Sequence, residues 1–176
     1  MSEPRPSSHA HHHRKSAFRE VATAVITVSD TRTAETDRGG DRVAELLAAA
    51  GHPVLSRDIV PDDAGAIARA VRACLSRDAV RAVILTGGTG VAPRDVTPEA
   101  VEPLLDRTLP GFGELFRALS YEEIGSAALL SRALAGLAAG RAVFVLPGSR
   151  GAVTLAMEKL VLPELGHVAA EAVKTA

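Results

Sequence analysis

The chain has 176 residues, which suits one domain of ordinary size with a sizeable core. A formal charge of −1, with 4 Phe, 1 Tyr and no Trp, argues against a nucleic-acid partner and against an anionic membrane. Cys74 is the single cysteine, so a disulfide framework within the chain is excluded and a reducing, cytoplasmic setting is expected. No apolar run reaches the ~18 residues that cross a bilayer, and the N-terminus lacks the apolar centre of a secretory signal.

Residues 1–19 are rich in Ser, Pro, His and basic side chains, with little to bury before Ala17 and Phe18. A disordered extension is expected there, its His9, His11, His12 and His13 having only incidental metal affinity. Residues 20–176 are expected to form a single domain. Residues 21–29 read as a β-branched strand, followed by a polar loop. Gly39-Gly40 opens a helix with an apolar stripe of Val43, Leu46, Leu47 and Ala50, ended by Gly51. Residues 53–60 form a second strand. Pro61-Asp62-Asp63 then starts a helix whose stripe is Ala64, Ile67, Val71, Cys74 and Leu75, with Cys74 as a small core residue. Residues 80–86 are a third strand, so βαβαβα occupies residues 21–106 and predicts a parallel sheet covered on both faces. In the second half, Pro110-Gly111-Phe112-Gly113 begins a helix, and residues 134–137 and 141–146 are expected to pair as an antiparallel hairpin. Pro147-Gly148-Ser149-Arg150-Gly151 is a second glycine loop, and Pro163 is expected to break the helix that follows it.

The stretch from Leu85 through Thr86-Gly87-Gly88-Thr89-Gly90 to Asp95 and Thr97-Pro98-Glu99 carries the most chemistry. It reads as a buried strand, a glycine turn, an acid, and a helix with Thr97 as N-cap. Such a turn lets backbone N–H groups approach a phosphate, although a tight turn that needs glycine for positive φ explains the same residues. It is neither a Gly-x-Gly-x-x-Gly fingerprint nor a P-loop. Four loops leave the carboxyl ends of strands, Ser29-Asp30-Thr31, Pro61-Asp62-Asp63, residues 86–95 and residues 147–151, and are expected to converge on one cleft. Asp62 reads either as an N-cap or, with Asp63 as the cap, as a cleft acid. Asp95 reads as a cleft acid or as the partner of Arg94 or another arginine. Two carboxylates beside a glycine cradle suit Mg²⁺, which prefers few protein oxygens plus substrate phosphates, and that combination supports nucleotidyl or phosphoryl transfer. His52 and His167 read as surface or helix-end residues, and no zinc-type spacing is present.

Five motifs occur in order: Thr86-Gly87-Gly88-Thr89-Gly90, Pro93-Arg94-Asp95-Val96-Thr97-Pro98-Glu99, Pro110-Gly111-Phe112-Gly113-Glu114, Leu130-Ser131-Arg132-Ala133 and Leu146-Pro147-Gly148-Ser149. With them the chain closely resembles the MoaB/Mog family of molybdenum cofactor biosynthesis proteins over roughly residues 20–170, the segment from Ser120 to Ala127 having the MoaB flavour. The resemblance implies a three-layer α/β/α fold with a mostly parallel central sheet and an antiparallel edge. It implies Mg²⁺-dependent adenylation of molybdopterin by ATP, giving adenylyl-molybdopterin and pyrophosphate. Asp62 and Asp95 match the family's catalytic, metal-holding pair. Gly87, Gly88, Thr89, Gly90, Pro147, Gly148 and Ser149 match its nucleotide-binding segments and Ser131 a position associated with pterin binding; Ser29 and Asp30, from the loop after the first strand, are further substrate-binding candidates. A homotrimer or dimer of trimers is implied, with other molybdenum cofactor biosynthesis proteins as candidate partners. Arg150 stands where the family usually has proline. The competing reading is a catalytically silent paralogue that binds or scaffolds molybdopterin; retention of both Asp62 and Asp95 favours the enzyme.

Overall fold

Strands that share a sheet and are joined by helices run parallel, because each crossover returns the chain to the same end. The computed structural model, which describes residues 17–174, follows that rule in its first half. β1 (Thr23–Val28), β2 (Val54–Val60) and β3 (Ala82–Thr86) alternate with α1 (Arg38–Ala49) and α2 (Ala64–Leu75). After β3 come a short α3 (Thr97–Val101), a two-residue β4 (Arg107–Thr108) and α4 (Pro110–Ile124). The hairpin β5 (Leu134–Ala138) and β6 (Arg141–Leu146) leads into α5 (Arg150–Ala156) and α6 (Leu162–Ala172). The sheet order is β2-β1-β3-β6-β5-β4; the first four strands are parallel, and β5 and β4 run antiparallel to their neighbours.

Both faces of β1, β3 and β6 are covered, which is why they read as mostly apolar runs, whereas the edge strand β2 is largely exposed. Val25, Ile84 and Phe144 face a cluster with Val43 and Leu47 of α1, Phe112 and Phe116 of α4, and Val153 and Leu165 of the last two helices. Ala24, Ile26, Val83, Leu85 and Val145 face Ile67, Val71 and Cys74 of α2 and Val101 of α3. The result is the expected three-layer α/β/α fold. Ile26, Leu47, Ile67, Ile84 and Leu85 are fully buried, each contributing roughly 1.5–3 kcal/mol of apolar burial. Cys74 belongs to this core, and burial pushes its thiol pKa up, so it stays an inert packing residue. No helix among the described residues is long and apolar enough to cross a membrane.

Several local expectations need correction. Thr97 is not the N-cap of α3; Val96 is, and Thr97 lies inside the helix with its hydroxyl donating to the Gly87 carbonyl at 2.9 Å. Pro163 does not break the chain's last helical run. A wide π turn, Met157–Val161, joins α5 to α6, and it absorbs the ring and the missing N–H of Pro163 in the first turn of α6. His52 is not a surface residue: it is 8% exposed, and its Nδ1 accepts the Val21 N–H at 3.1 Å. Strand β4 carried no sequence signal, since two residues cannot show a period. Phe18, inside the expected extension, donates its N–H to the Gly166 carbonyl at 3.0 Å, whereas residues 1–16, with the histidine tail, lie outside the described residues.

Burial lowers the pKa of His52, opposed only by the charge of Glu20. The folded state therefore holds His52 neutral, as acceptor for Val21, while the unfolded chain protonates near the ordinary value of 6.5. Stability is thus unaffected above that value and falls as pH drops below it. Acidification from about pH 7.5 to about pH 5.5 is expected to lower the melting temperature, and His52→Asn, whose amide oxygen can still accept from Val21, is expected to remove part of that acid loss. An acid loss of unchanged size in the variant would show that the proton goes elsewhere.

Candidate active site

From β1 the chain moves one way to β2 and the other way to β3, so the topological switch lies between the ends of β1 and β3. Open α/β sheets bind ligands at that point. A cavity of about 380 Å³ opens there, bounded by Ser29 and Arg32 after β1, Gly39 of α1, Gly87 after β3, and Gly148 and Ser149 after β6.

The two glycine loops meet at close range. Gly87 donates to the Leu146 carbonyl at 3.0 Å, and Thr86 Oγ1 donates to the Pro147 carbonyl at 2.9 Å. Gly87 and Gly88 adopt φ of +104° and +65°. A Cβ on Gly87 would run into the Val28 carbonyl, and one on Gly88 into the Thr97 hydroxyl. The carbonyls of this loop are all tied inward: Gly87 to Thr97 Oγ1, Gly88 to the Thr97 N–H at 3.1 Å, Thr89 to the Arg132 N–H at 3.0 Å, and Gly90 to Arg132 Nε at 2.8 Å. In a planar trans peptide the C=O and the next N–H point in opposite directions. Among the described residues, the N–H groups of Gly88, Thr89 and Gly90 accordingly donate to no protein acceptor. A row of backbone donors with no acceptor of its own is an anion-binding surface.

Both carboxylates face this loop. Asp63, not Asp62, caps α2, its side chain accepting the Ala66 N–H at 2.7 Å. That leaves Asp62 to exchange hydrogen bonds with the next loop: the Asp30 N–H reaches Asp62 Oδ2 at 3.2 Å, and the Asp62 N–H reaches Asp30 Oδ1 at 3.0 Å. Asp62 Oδ1 lies against Gly88, 3.3 Å from where a Cβ would be. Asp95 Oδ2 accepts the Ala92 N–H at 2.9 Å and lies against Gly90. Asp95 makes no ion pair among the described residues, so the alternative of an arginine partner is not realised. Burial raises the pKa of Asp62; the Asp30 N–H lowers it, Asp30 raises it, Arg94 lowers it and Asp95 raises it. The two acids therefore share one electrostatic neighbourhood.

Their donor chemistry fits a hard divalent cation. Each carboxylate has one oxygen engaged by a backbone N–H and another, Asp62 Oδ1 and Asp95 Oδ1, with no hydrogen bond among the described residues. No group of three or more His, Cys, Asp or Glu side chains gathers there among the described residues, so the protein alone does not complete a coordination sphere. Mg²⁺ characteristically takes one or two carboxylates plus substrate phosphates.

Of the remaining candidates, Ser29 Oγ accepts the N–H groups of Thr31 and Arg32 at 3.2 Å, so Ser29 shapes its own loop at the wall of the cavity. Asp30 holds Asp62. Ser149 caps α5. Ser131 lies in a second cavity with Glu99, Arg117, Leu129 and Arg132, and its buried hydroxyl has no hydrogen-bond partner among the described residues. Arg150 points outward and approaches Glu45 at 4.0 Å. Arg132 escaped the residue-by-residue reading, although it sits inside the Leu130-Ser131-Arg132-Ala133 motif.

A family profile described as "Probable molybdopterin binding domain" matches residues 24–167. That span includes both glycine loops and both acids. The chain belongs to this family. It is similar to molybdenum cofactor biosynthesis protein B of Bacillus cereus, with 54% identity over 160 residues, 90% of this chain and 95% of the relative. The crystal structure of a molybdenum cofactor biosynthesis protein B superposes with a TM-score of 0.85 at 54% identity, covering 87% of this chain and 96% of the other. The Mog protein of Mycobacterium ulcerans reaches a TM-score of 0.78 at 28% identity, covering 87% and 99%. The MoaB-type character of the sequence is thus plain.

Because Asp63 carries the cap and ionised Asp62 sits partly desolvated among like charges, the Asp62 carboxylate costs rather than contributes stability at neutral pH. Asp62→Asn keeps the acceptor for Asp30 and removes the charge. Calorimetry is expected to find its melting temperature equal to or slightly above that of the parent chain. A clear drop would return Asp62 to a structural role.

Proposed function

We propose that the chain transfers the adenylyl group of ATP to molybdopterin, with Mg²⁺, releasing pyrophosphate. A nucleophilic oxygen of molybdopterin forms the new bond to the α-phosphorus, and the bond to the bridging oxygen of pyrophosphate breaks. One observation carries the reading: two carboxylates flank a loop whose carbonyls are bound by Thr97 and Arg132, while its N–H groups at Gly88, Thr89 and Gly90 donate to no acceptor among the described residues. Phosphoryl and nucleotidyl transfer need little beyond such positioning and charge neutralisation.

The 87–90 loop would hold phosphate oxygens through the N–H groups of Gly88, Thr89 and Gly90. The cavity between the two glycine loops would take the rest of the nucleotide. Asp62 and Asp95 would hold Mg²⁺, which when bound offsets the charge of the phosphates. Ser131, which lines the second cavity, would turn its hydroxyl towards the pterin. The names carried by the similar proteins support a place in molybdenum cofactor biosynthesis.

The reading also includes self-association as a trimer or dimer of trimers. Helix α4 and the turn after it expose Tyr121 at 62%, Ile124 at 60% and Leu129 at 81%. Apolar surface of that kind marks interfaces, and closed cyclic assembly is the default for identical chains.

Incubation with molybdopterin, ATP and Mg²⁺ is expected to yield adenylyl-molybdopterin and pyrophosphate in equal amounts. Asp95→Asn is expected to lower the rate by at least ~100-fold with the fold intact. Tight molybdopterin binding without product would identify the silent paralogue instead. Light scattering is expected to give a mass of three or six chains, and Leu129→Asp combined with Ile124→Glu is expected to shift it towards the monomer; a monomeric parent chain at micromolar concentration would remove the assembly from the proposal.

A further inference from the structure

Arg132 reaches the glycine loop from the segment that enters β5, and it spends its donors on the protein. Its main-chain N–H binds the Thr89 carbonyl at 3.0 Å and its Nε the Gly90 carbonyl at 2.8 Å. One terminal nitrogen donates to the Asp95 carbonyl, and the other pairs with the Glu99 carboxylate on α3. Glu99 is held below its usual pKa, chiefly by that hydrogen bond. One side chain thus ties together the turn of the loop, the acid that follows it and the helix beyond.

We infer that Arg132 is a positioning residue that fixes the outward N–H groups of the glycine loop in register with the Asp95 carboxylate. The structural part stands on these contacts; the kinetic part rests on the adenylation reading. The mechanism follows from the planar peptide. The main-chain N–H of Arg132 holds the Thr89 carbonyl and its Nε holds the Gly90 carbonyl, which turns the N–H groups of Gly90 and Val91 to the other side; the second contact is the one the side chain makes. Holding the Asp95 carbonyl sets where its carboxylate starts from. A guanidinium suits this task because its planar fork binds several acceptors at fixed angles, which a single ammonium cannot do. With all three of its guanidinium nitrogens bonded to the protein, Arg132 acts through the loop.

The test compares amide hydrogen exchange in the parent chain with that in Arg132→Lys and Arg132→Ala. Peptides over residues 87–97 report the amides of Ala92, Asp95 and Thr97, all bonded within the loop. The expected result is exchange at least ~10-fold faster there, with β1, β3 and α4 unchanged. In the adenylation assay both variants are expected to lose at least ~10-fold in kcat, since misplacement by about 1 Å costs up to ~100-fold, and millimolar guanidinium is expected to restore part of the Arg132→Ala rate. Unchanged loop exchange would overturn the inference. So would exchange that rises equally through β1 and β3, because Arg132 would then hold the fold rather than the loop. Full kcat in the variants, or no rescue, would overturn the kinetic part. If the parent chain makes no adenylyl product, the adenylation reading fails by itself and the exchange data still decide the brace.

Discussion

The chain after β3 passes so close to the ends of β1 and β6 that no side chain fits, and the rest of the site depends on that approach. Gly87 lies against the Val28 carbonyl, and Gly148 packs onto Gly87, its would-be Cβ only 3.3 Å from the Gly87 Cα. With side chains excluded, the backbone itself becomes the surface. Its carbonyls are consumed by Thr97 and Arg132, so what remains facing outward is a set of donors. The outward row of donors is therefore a by-product of how this turn satisfies its own acceptors.

Charge placement follows the same economy. The acid that could have capped α2 is displaced from that duty by its neighbour: Asp63 takes the cap and Asp62 turns towards the loop. Asp30 and Asp95 then both act electrostatically on Asp62, with Arg94 opposing. Like charges held together by a rigid scaffold are costly without a counter-charge, and proteins tolerate such cost mainly where it serves a reaction. A bound cation would relieve it.

Most of the architecture was readable because the first half obeys simple periodicity. β-branched runs alternate with amphipathic helices, so the parallel sheet and the convergence of four loops follow from residues 21–106 and the hairpin beyond them. The hairpin was legible from the short Ala138-Ala139-Gly140 connection, although Ala138 belongs to β5 and the turn is Ala139-Gly140, both at positive φ. What stayed hidden was long-range or local in competing ways. Thr97 looks like a cap by spacing, yet its hydroxyl is spent 10 positions back on Gly87. His52 looks like loop polarity, yet it accepts from Val21, 31 positions away. Pro163 signals a break only if the preceding turn stays α-helical, and here it widens. Asp62 and Asp63 are adjacent, and only backbone geometry distinguishes cap from cleft acid.

The reversal of strand direction at β5 has a consequence for delivery. A parallel strand brings its carboxyl end to the ligand side of a sheet, and the residues that precede it lie at the opposite end. Because β5 runs antiparallel to β6, with Leu134 opposite Val145, the residues before β5 arrive at the ligand side instead. That is how Arg132 meets Gly90, 42 positions earlier in the chain. The antiparallel margin thus anchors the loop: the segment that enters β5 carries the contacts to Thr89 and Gly90. The glycine turn is tied in this way to the antiparallel edge of the sheet as well as to β3, the strand from which it emerges.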